Sequence, residues 1–231
     1  MNYQHRHVIV SGGAGALGTA VVGVLIGLGA ICHVPCQTQA EAQTFLYRGN
    51  SAVKLSVSGD LSDAAAVERL FGGVPDLWAS IHLAGGFAAG AIGVTNKALL
   101  MQQLDVNLVS AFLCCRAAVD AMVGRGGRIV NVAARPALEW RTGAGMTAYA
   151  AGKAGVAALT AALAEEVAKD GILVNAVAPS IIDTPANRRA MPNANFDSWP
   201  KVDEVAATIV FLASPDQLVT RGAVVPVYGR A

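Results

Sequence analysis

The feature that most constrains this chain is an alternation. Short apolar, β-branched runs and longer helical stretches succeed one another from end to end of its 231 residues. Strands are expected near His7–Val10, Ala30–Val34, Ala52–Val57, Leu77–Leu83, Gly127–Val132, Leu173–Ala178 and Val224–Val227. Helices are expected near Leu17–Leu28, Ala64–Phe71, Lys97–Met122, Ala148–Lys169 and Asp203–Leu212. Repeated strand–helix–strand units return the chain across a sheet face, which makes the strands parallel and covers both faces with helices. The expected fold is α/β: one domain over residues 1–231, a doubly wound parallel sheet of about seven strands with helices on both faces. The longest stretch without clear periodicity is Asp183–Pro200, expected to be a loop on the substrate side.

Ala16 to Cys36 contains no charged residue, with His5 and Arg6 upstream, and so imitates a signal or membrane segment. The run is rich in glycine and follows the strand-like Val8-Ile9-Val10. A strand, turn and helix buried in a parallel sheet would also lack charge. We therefore expect a cytoplasmic protein that does not span a membrane. Hydrophobic residues make up 54% and charged residues 14%, enough for a large core and too apolar for disorder. The net charge is +1 with no basic stripe, which argues against a nucleic-acid partner. Cys32, Cys36, Cys114 and Cys115 form no C-x-x-C pair and, with the histidines, no zinc spacing; buried thiols and no metal are expected.

The first strand runs into Ser11-Gly12-Gly13-Ala14-Gly15-Ala16-Leu17-Gly18, which opens a helix. Glycines let the backbone turn and approach a pyrophosphate closely, and the helix N-terminus offers free N–H groups to it. A second glycine turn, Ala84-Gly85-Gly86, follows the fourth strand at the same sheet edge. Asp60, before Leu61, is placed either to accept from an adenine amino group or to cap the next helix. The end of the second strand reads His33-Val34-Pro35-Cys36-Gln37-Thr38, with no acid for ribose hydroxyls and no arginine for a 2′-phosphate. Loss of the acid removes a repulsion, so the reading leans to NADP(H) over NAD(H). Gln37, Thr38 and Arg48 are possible phosphate contacts or plain surface residues.

Tyr149 and Lys153 stand four residues apart in a run of small residues. On a helix they share a face, and an ammonium near a phenol favours the phenolate. That is a proton-transfer unit. Together, Ser11-Gly12-x-x-x-Ala16-x-Gly18, Asp60, Ala84-Gly85, Asn107, Tyr149-x-x-x-Lys153 and Pro179-x-x-Ile182-x-Thr184 resemble the classical short-chain dehydrogenases/reductases over nearly the whole chain. The resemblance implies a Rossmann-like sheet and a nicotinamide cofactor. It implies Asp60 at adenine, Asn107 holding the catalytic helix and a relay water, and Lys153 on the nicotinamide ribose, lowering the Tyr149 pKa. It places Ile182 and Thr184 against the nicotinamide and Tyr149 as proton donor. It also implies a homodimer or homotetramer built on the long helices, whose Ala117, Ala118, Ala121, Ala157, Ala158 and Ala161 permit close approach or pack on their own sheet.

Two departures stand out. His82-Leu83-Ala84-Gly85 replaces the family's Asn-Asn-Ala-Gly, and Ala134 stands where a catalytic serine is usual. The dihydropteridine reductase branch also lacks that serine, and this chain resembles it in Gly143–Met146, in Asp183–Pro192 with Phe196–Trp199, and in Ala84-Gly85-Gly86-Phe87. The expected activity is hydride transfer from NAD(P)H to a small-molecule conjugated carbonyl or quinonoid, pterin-like acceptor. Phe87, Trp140, Met146 and Trp199 are candidates to line its pocket. The alternatives are a ketone reductase or alcohol dehydrogenase in which Thr142 or Thr147 replaces the serine, and a catalytically silent cofactor sensor.

Overall fold

A computed structural model describes residues 1–231. Seven parallel strands form one sheet in the order β3-β2-β1-β4-β5-β6-β7. They are β1 (His7–Ser11), β2 (Ile31–Cys36), β3 (Val53–Val57), β4 (Leu77–His82), β5 (Gly127–Val132), β6 (Ile172–Pro179) and β7 (Val224–Val227). The order reverses between β1 and β4, and the strands' carboxyl ends part there to leave a crevice.

One face carries α1 (Ala16–Gly27) and α8 (Val202–Leu212), joined to the sheet through Val21, Leu25, Val205 and Ile209, all fully buried. This explains the uncharged N-terminal run. Helix α1 is 12 residues long and packs on both the sheet and α8, and only Ala16 and Gly27, at its two ends, are exposed, so little of it faces solvent to carry charge. The other face carries α3 (Ala64–Gly72), α5 (Ser110–Met122) and α6 (Thr147–Glu166), which meet over Val67, Cys115, Met122 and Ala164. All four cysteines are buried as free thiols. Ala118 faces this core, whereas Ala158, Ala161 and Phe112 face outward.

The expected helix over Lys97–Met122 is present as one run of 26 residues, with a π turn inside it. Helix α4 (Lys97–Leu104) passes into α5 through a π turn at Asp105–Val109, where the Ser110 N–H reaches back to the Asp105 carbonyl. The whole run is long and apolar enough by length and composition to cross a bilayer, yet here α5 packs on β4, β5 and α3 as a layer of the fold. Helix α6 stops at Glu166, and Ala168–Asp170 is a separate 3-10 turn.

Two helices were not legible as periodic segments. Helix α2 (Gln39–Thr44) starts at Thr38, whose Oγ1 accepts from the Glu41 N–H. Helix α7 (Pro185–Ala190) lies inside the expected loop at Asp183–Pro200. Thr184 caps it through the Asn187 N–H, and Pro185 takes its first turn, where a missing N–H costs nothing. Asp183 then ties the segment together, accepting from Arg188 at 2.6 and 2.8 Å and from Lys201 Nζ at 2.8 Å.

Candidate active site

The first glycine turn follows β1 and enters α1. Gly12 has φ +66°, and a Cβ there would lie 2.7 Å from the Ala84 nitrogen, so both its conformation and the second glycine turn demand glycine. A Cβ on Gly18 would lie 2.1 Å from the Gly12 carbonyl oxygen, so Gly18 brings α1 against the turn. Ser11 is buried, and its hydroxyl accepts from the Ala84 N–H at 3.4 Å, which ties the two turns together. Gly15 and Ala16 are exposed and Leu17 half-buried at the helix start. No side chain caps α1 and no acid stands in its first turn, which leaves its N–H groups and positive dipole end open to an anion.

Between the turns lies a cavity of about 170 Å³ whose lining includes Gly12, Asp60, Leu61, Ala84 and Gly85. Asp60 accepts from the Ser62 N–H at 2.8 Å and faces this cavity; Asp63, not Asp60, caps α3. Gln37 reaches the cavity, but its backbone N–H is taken by Glu41 Oε2 at 2.6 Å. Glu41 also lines the cavity. The end of β2 itself carries no acid; the acid arrives from α2. Arg48 donates to the Phe45 carbonyl and Thr38 caps α2, and neither lines the cavity.

The second turn leads to the chemistry. Asn107 sits in the π turn, 1% exposed. Its Oδ1 accepts from the Gly86 N–H at 3.2 Å, and its Nδ2 donates to the carbonyls of Gly86 at 2.9 Å and Gln103 at 3.0 Å. Asn107 thus hydrogen-bonds the glycine turn, and it also lies against α6, where a Cβ on Gly152 would be 3.5 Å from its own Cβ. A Cβ on Gly85 would lie 2.9 Å from Asn107 Oδ1 and 3.4 Å from Lys153 Nζ. The crevice therefore opens directly onto the ammonium.

Tyr149 and Lys153 lie on α6, with Nζ 6.0 Å from the phenol ring centre. Lys153 is 6% exposed and donates to the Val132 carbonyl at 2.8 Å. Burial pushes its pKa down to about 8 and pushes the Tyr149 phenol up to about 12. This corrects the expected lowering of the Tyr149 pKa: the ammonium is turned to a backbone carbonyl, and desolvation of the phenol dominates. Phe87 meets Tyr149 edge to face, ring centres 5.1 Å apart, and is 63% exposed. Ala134 is buried and offers no hydroxyl. Thr142 donates to the Glu139 carbonyl at 2.7 Å, while Thr147 is exposed at the start of α6 and lines a second cavity of about 220 Å³ with Ile92, Lys97 and Leu100. Of the other pocket candidates, Trp140 is 79% exposed and Met146 half-buried, but Trp199 is buried against Phe196 and is part of the packing. Pro179 ends β6, buried; Ile182 packs on the core beside α1 and α8; Thr184 is half-buried, with its hydroxyl oxygen capping α7.

A parallel sheet with a glycine-lined crevice at its switch point, and a half-buried Tyr149 beside a buried Lys153 near it, defines a dinucleotide-dependent oxidoreductase. The comparisons agree. A family model described as short chain dehydrogenase matches residues 6–195, and the chain belongs to that family. Galactitol 2-dehydrogenase of Rhizobium johnstonii is 34% identical over 254 residues, covering 98% of this chain and 97% of that protein. (2S)-[(R)-hydroxy(phenyl)methyl]succinyl-CoA dehydrogenase subunit BbsD of Thauera aromatica is 31% identical over 246 residues, covering 99% and 97%. Among solved structures, ElxO with NADP bound superposes with a TM-score of 0.90 at 22% identity over 98% of both chains, a likeness of fold. The protein is an NAD(P)-dependent oxidoreductase of the short-chain type. The open α1 N-terminus, the glycine cradle and Asp60 fit the dinucleotide.

Proposed function

We propose that this oxidoreductase reduces a conjugated carbonyl or quinonoid, pterin-like acceptor, with Tyr149 as the proton donor. The observation that carries the reading is a half-buried Tyr149 beside a buried Lys153 on α6, with buried Ala134, which has no hydroxyl, just beyond β5. The bound dinucleotide supplies the hydride. The chain supplies the proton and the frame. The Tyr149 phenol, held near 12, is protonated at neutral pH and is therefore an acid rather than a base. Lys153, near 8, is mostly charged at neutral pH; its charge stabilises the phenolate left when Tyr149 gives up its proton. Val132 accepts one of its three N–H donors, and the others are free for a ribose hydroxyl.

Gly12, Gly15, Ala16, Leu17 and Gly18 would take the pyrophosphate and Asp60 with Leu61 the adenine. Ala84, Gly85 and Gly86 would flank the ribose, and Pro179, Ile182 and Thr184 the nicotinamide. Phe87, standing on Tyr149 and open to solvent, offers a ring face to a flat substrate. A quinonoid ring carries its own polar edge and tautomerises readily, so it can dispense with the missing hydroxyl.

The test is loss of reduced-nicotinamide absorbance with NADH and with NADPH, using a freshly generated quinonoid dihydropterin and subtracting the uncatalysed rate. Turnover supports the reading. No turnover, with reduction of simple ketones instead, moves the assignment to a ketone reductase. That second reading rests on Thr147, whose exposed position beside an apolar cavity leaves its side chain open to a substrate. Activity on ketones lost in Thr147→Val would favour it. The four buried free thiols suit a reducing cytoplasm. The outward Phe112, Ala158 and Ala161 suit a homodimer or homotetramer through α5 and α6, which light scattering after size exclusion would test.

A further inference from the structure

The cavity at the adenosine end of the crevice is lined by two carboxylates, Glu41 and Asp60, and by no lysine or arginine. Glu41 folds back from the first turn of α2, so that its Oε2 accepts from the Gln37 N–H at 2.6 Å, one residue beyond β2. That N–H, a donor that could serve an anion at this end of the crevice, is already occupied by a carboxylate. The next basic residues along the chain, Arg48 and Lys54, do not line the cavity: Arg48 donates to the Phe45 carbonyl and Lys54, near the amino end of β3, to the Ser51 carbonyl.

We propose that Glu41 sets cofactor choice and selects NAD(H) over NADP(H). The proposal rests on the reading of this crevice as the dinucleotide site, and it reverses the lean drawn from the strand end alone. A carboxylate can accept from ribose hydroxyls. The same carboxylate repels a phosphate, and because Glu41 is only partly buried that repulsion weakens as salt rises. Helix capping alone does not account for the placement. Thr38-Gln39-Ala40-Glu41 has the form of a capping box, but a cap needs an acceptor at Glu41 and not a charge.

Direct titration of the purified protein separates these roles, read by reduced-nicotinamide fluorescence and by calorimetry and needing no turnover. The wild type is expected to bind NADH at least about tenfold more tightly than NADPH. Glu41→Gln keeps an acceptor for Gln37 and loses the charge; it is expected to bring the two affinities within about threefold, mainly by tightening NADPH. Thr38→Ala weakens the cap and keeps the charge; it is expected to lower the melting temperature and preserve the ratio. If Glu41→Gln proves too unstable to titrate, wild type at rising salt reads the same repulsion, and the NADPH-to-NADH Kd ratio is expected to fall as the charges are screened. A wild type that binds NADPH as tightly as NADH, or a ratio unchanged in Glu41→Gln or flat with salt, overturns the proposal and leaves the site reading standing. Failure to bind either dinucleotide overturns the site reading, and the proposal with it.

Discussion

His82 closes β4 in the middle of the sheet, 3% exposed, and it gives the native state a pH limit that can be worked out. Its Nδ1 is 2.8 Å from Asn131 Oδ1 and its Nε2 is 2.8 Å from Ser80 Oγ. Asn131 Nδ2 donates to Thr160 Oγ1, so its Oδ1 is the acceptor that assigns the proton to Nδ1; Nε2 then accepts from Ser80. Cys115 packs beside the pair as a thiol, its pKa pushed up to about 12 by burial, and no carboxylate hydrogen-bonds the ring. Burial lowers the His82 pKa from 6.5 to about 4. Between those values the unfolded chain holds a proton that the native state refuses. Stability is full above the unfolded value, falls as pH drops from about 6.5, and levels off once pH passes about 4. The loss is about 3 kcal/mol at about 1.4 kcal/mol per pH unit, against a typical total of about 5–15 kcal/mol. His33, lowered to about 4 by burial and by His7, drains stability in the same window, so a difference measurement is needed. His82→Asn removes one titration and keeps a polar side chain. Urea unfolding from about pH 7.5 to about pH 4.5 should cost the wild type about 3 kcal/mol more than the variant. Parallel curves for the two proteins would refute the reasoning.

Three further outcomes are expected. Tyr149→Phe should lower kcat by about 10²- to 10⁴-fold while dinucleotide titration stays unchanged; undiminished turnover would remove Tyr149 from the chemistry. The kcat for reduction should fall as pH rises through about 8, where Lys153 loses its charge, so a pH profile flat well into the alkaline range would show that the charge is not used. Gly18→Ala places a methyl 2.1 Å from the Gly12 carbonyl oxygen, so the turn must move. Its dinucleotide Kd should rise by more than about tenfold and its stability drop by about 1–3 kcal/mol, read by fluorescence titration and thermal melting.

The strands were legible because each is an apolar run between turn residues, and all seven lie within two residues of their expected bounds. Helices α2 and α7 were missed because each has only six residues, too few to show a period. Their signals were local instead: Thr38 three residues before Glu41, and Thr184 followed by Pro185. The glycine turns, Asp60 and the Tyr149–Lys153 pair were visible as patterns because their chemistry fixes their spacing, whereas Asn107 was picked out only through the family resemblance. Glu41 was not, because its place in the cavity depends on a short helix folding back on Gln37. The phenol's raised pKa was equally hidden: spacing puts Lys153 and Tyr149 on one face, but only the packing shows the ammonium turned to Val132.

The π turn gives the site its coherence. One extra residue in the turn rotates everything after it by about 100° relative to a continuous α-helix. That rotation lets Asn107 look back to Gln103 and sideways to Gly86 while α5 keeps Cys115 and Ala118 in the core. The second glycine turn is therefore clasped from the helical side by Asn107. Lys153 is clasped from the strand side by the Val132 carbonyl, and the two clasps meet at Gly85. The second glycine turn and the helix that carries Tyr149 and Lys153 thus share one frame, in which Asn107 makes three hydrogen bonds and Lys153 one. Ala134 contributes no polar side chain to it. In the proposed reaction the substrate must then orient itself through its own polar edge and the face of Phe87, which is the demand a flat, conjugated acceptor meets and a simple aliphatic ketone does not.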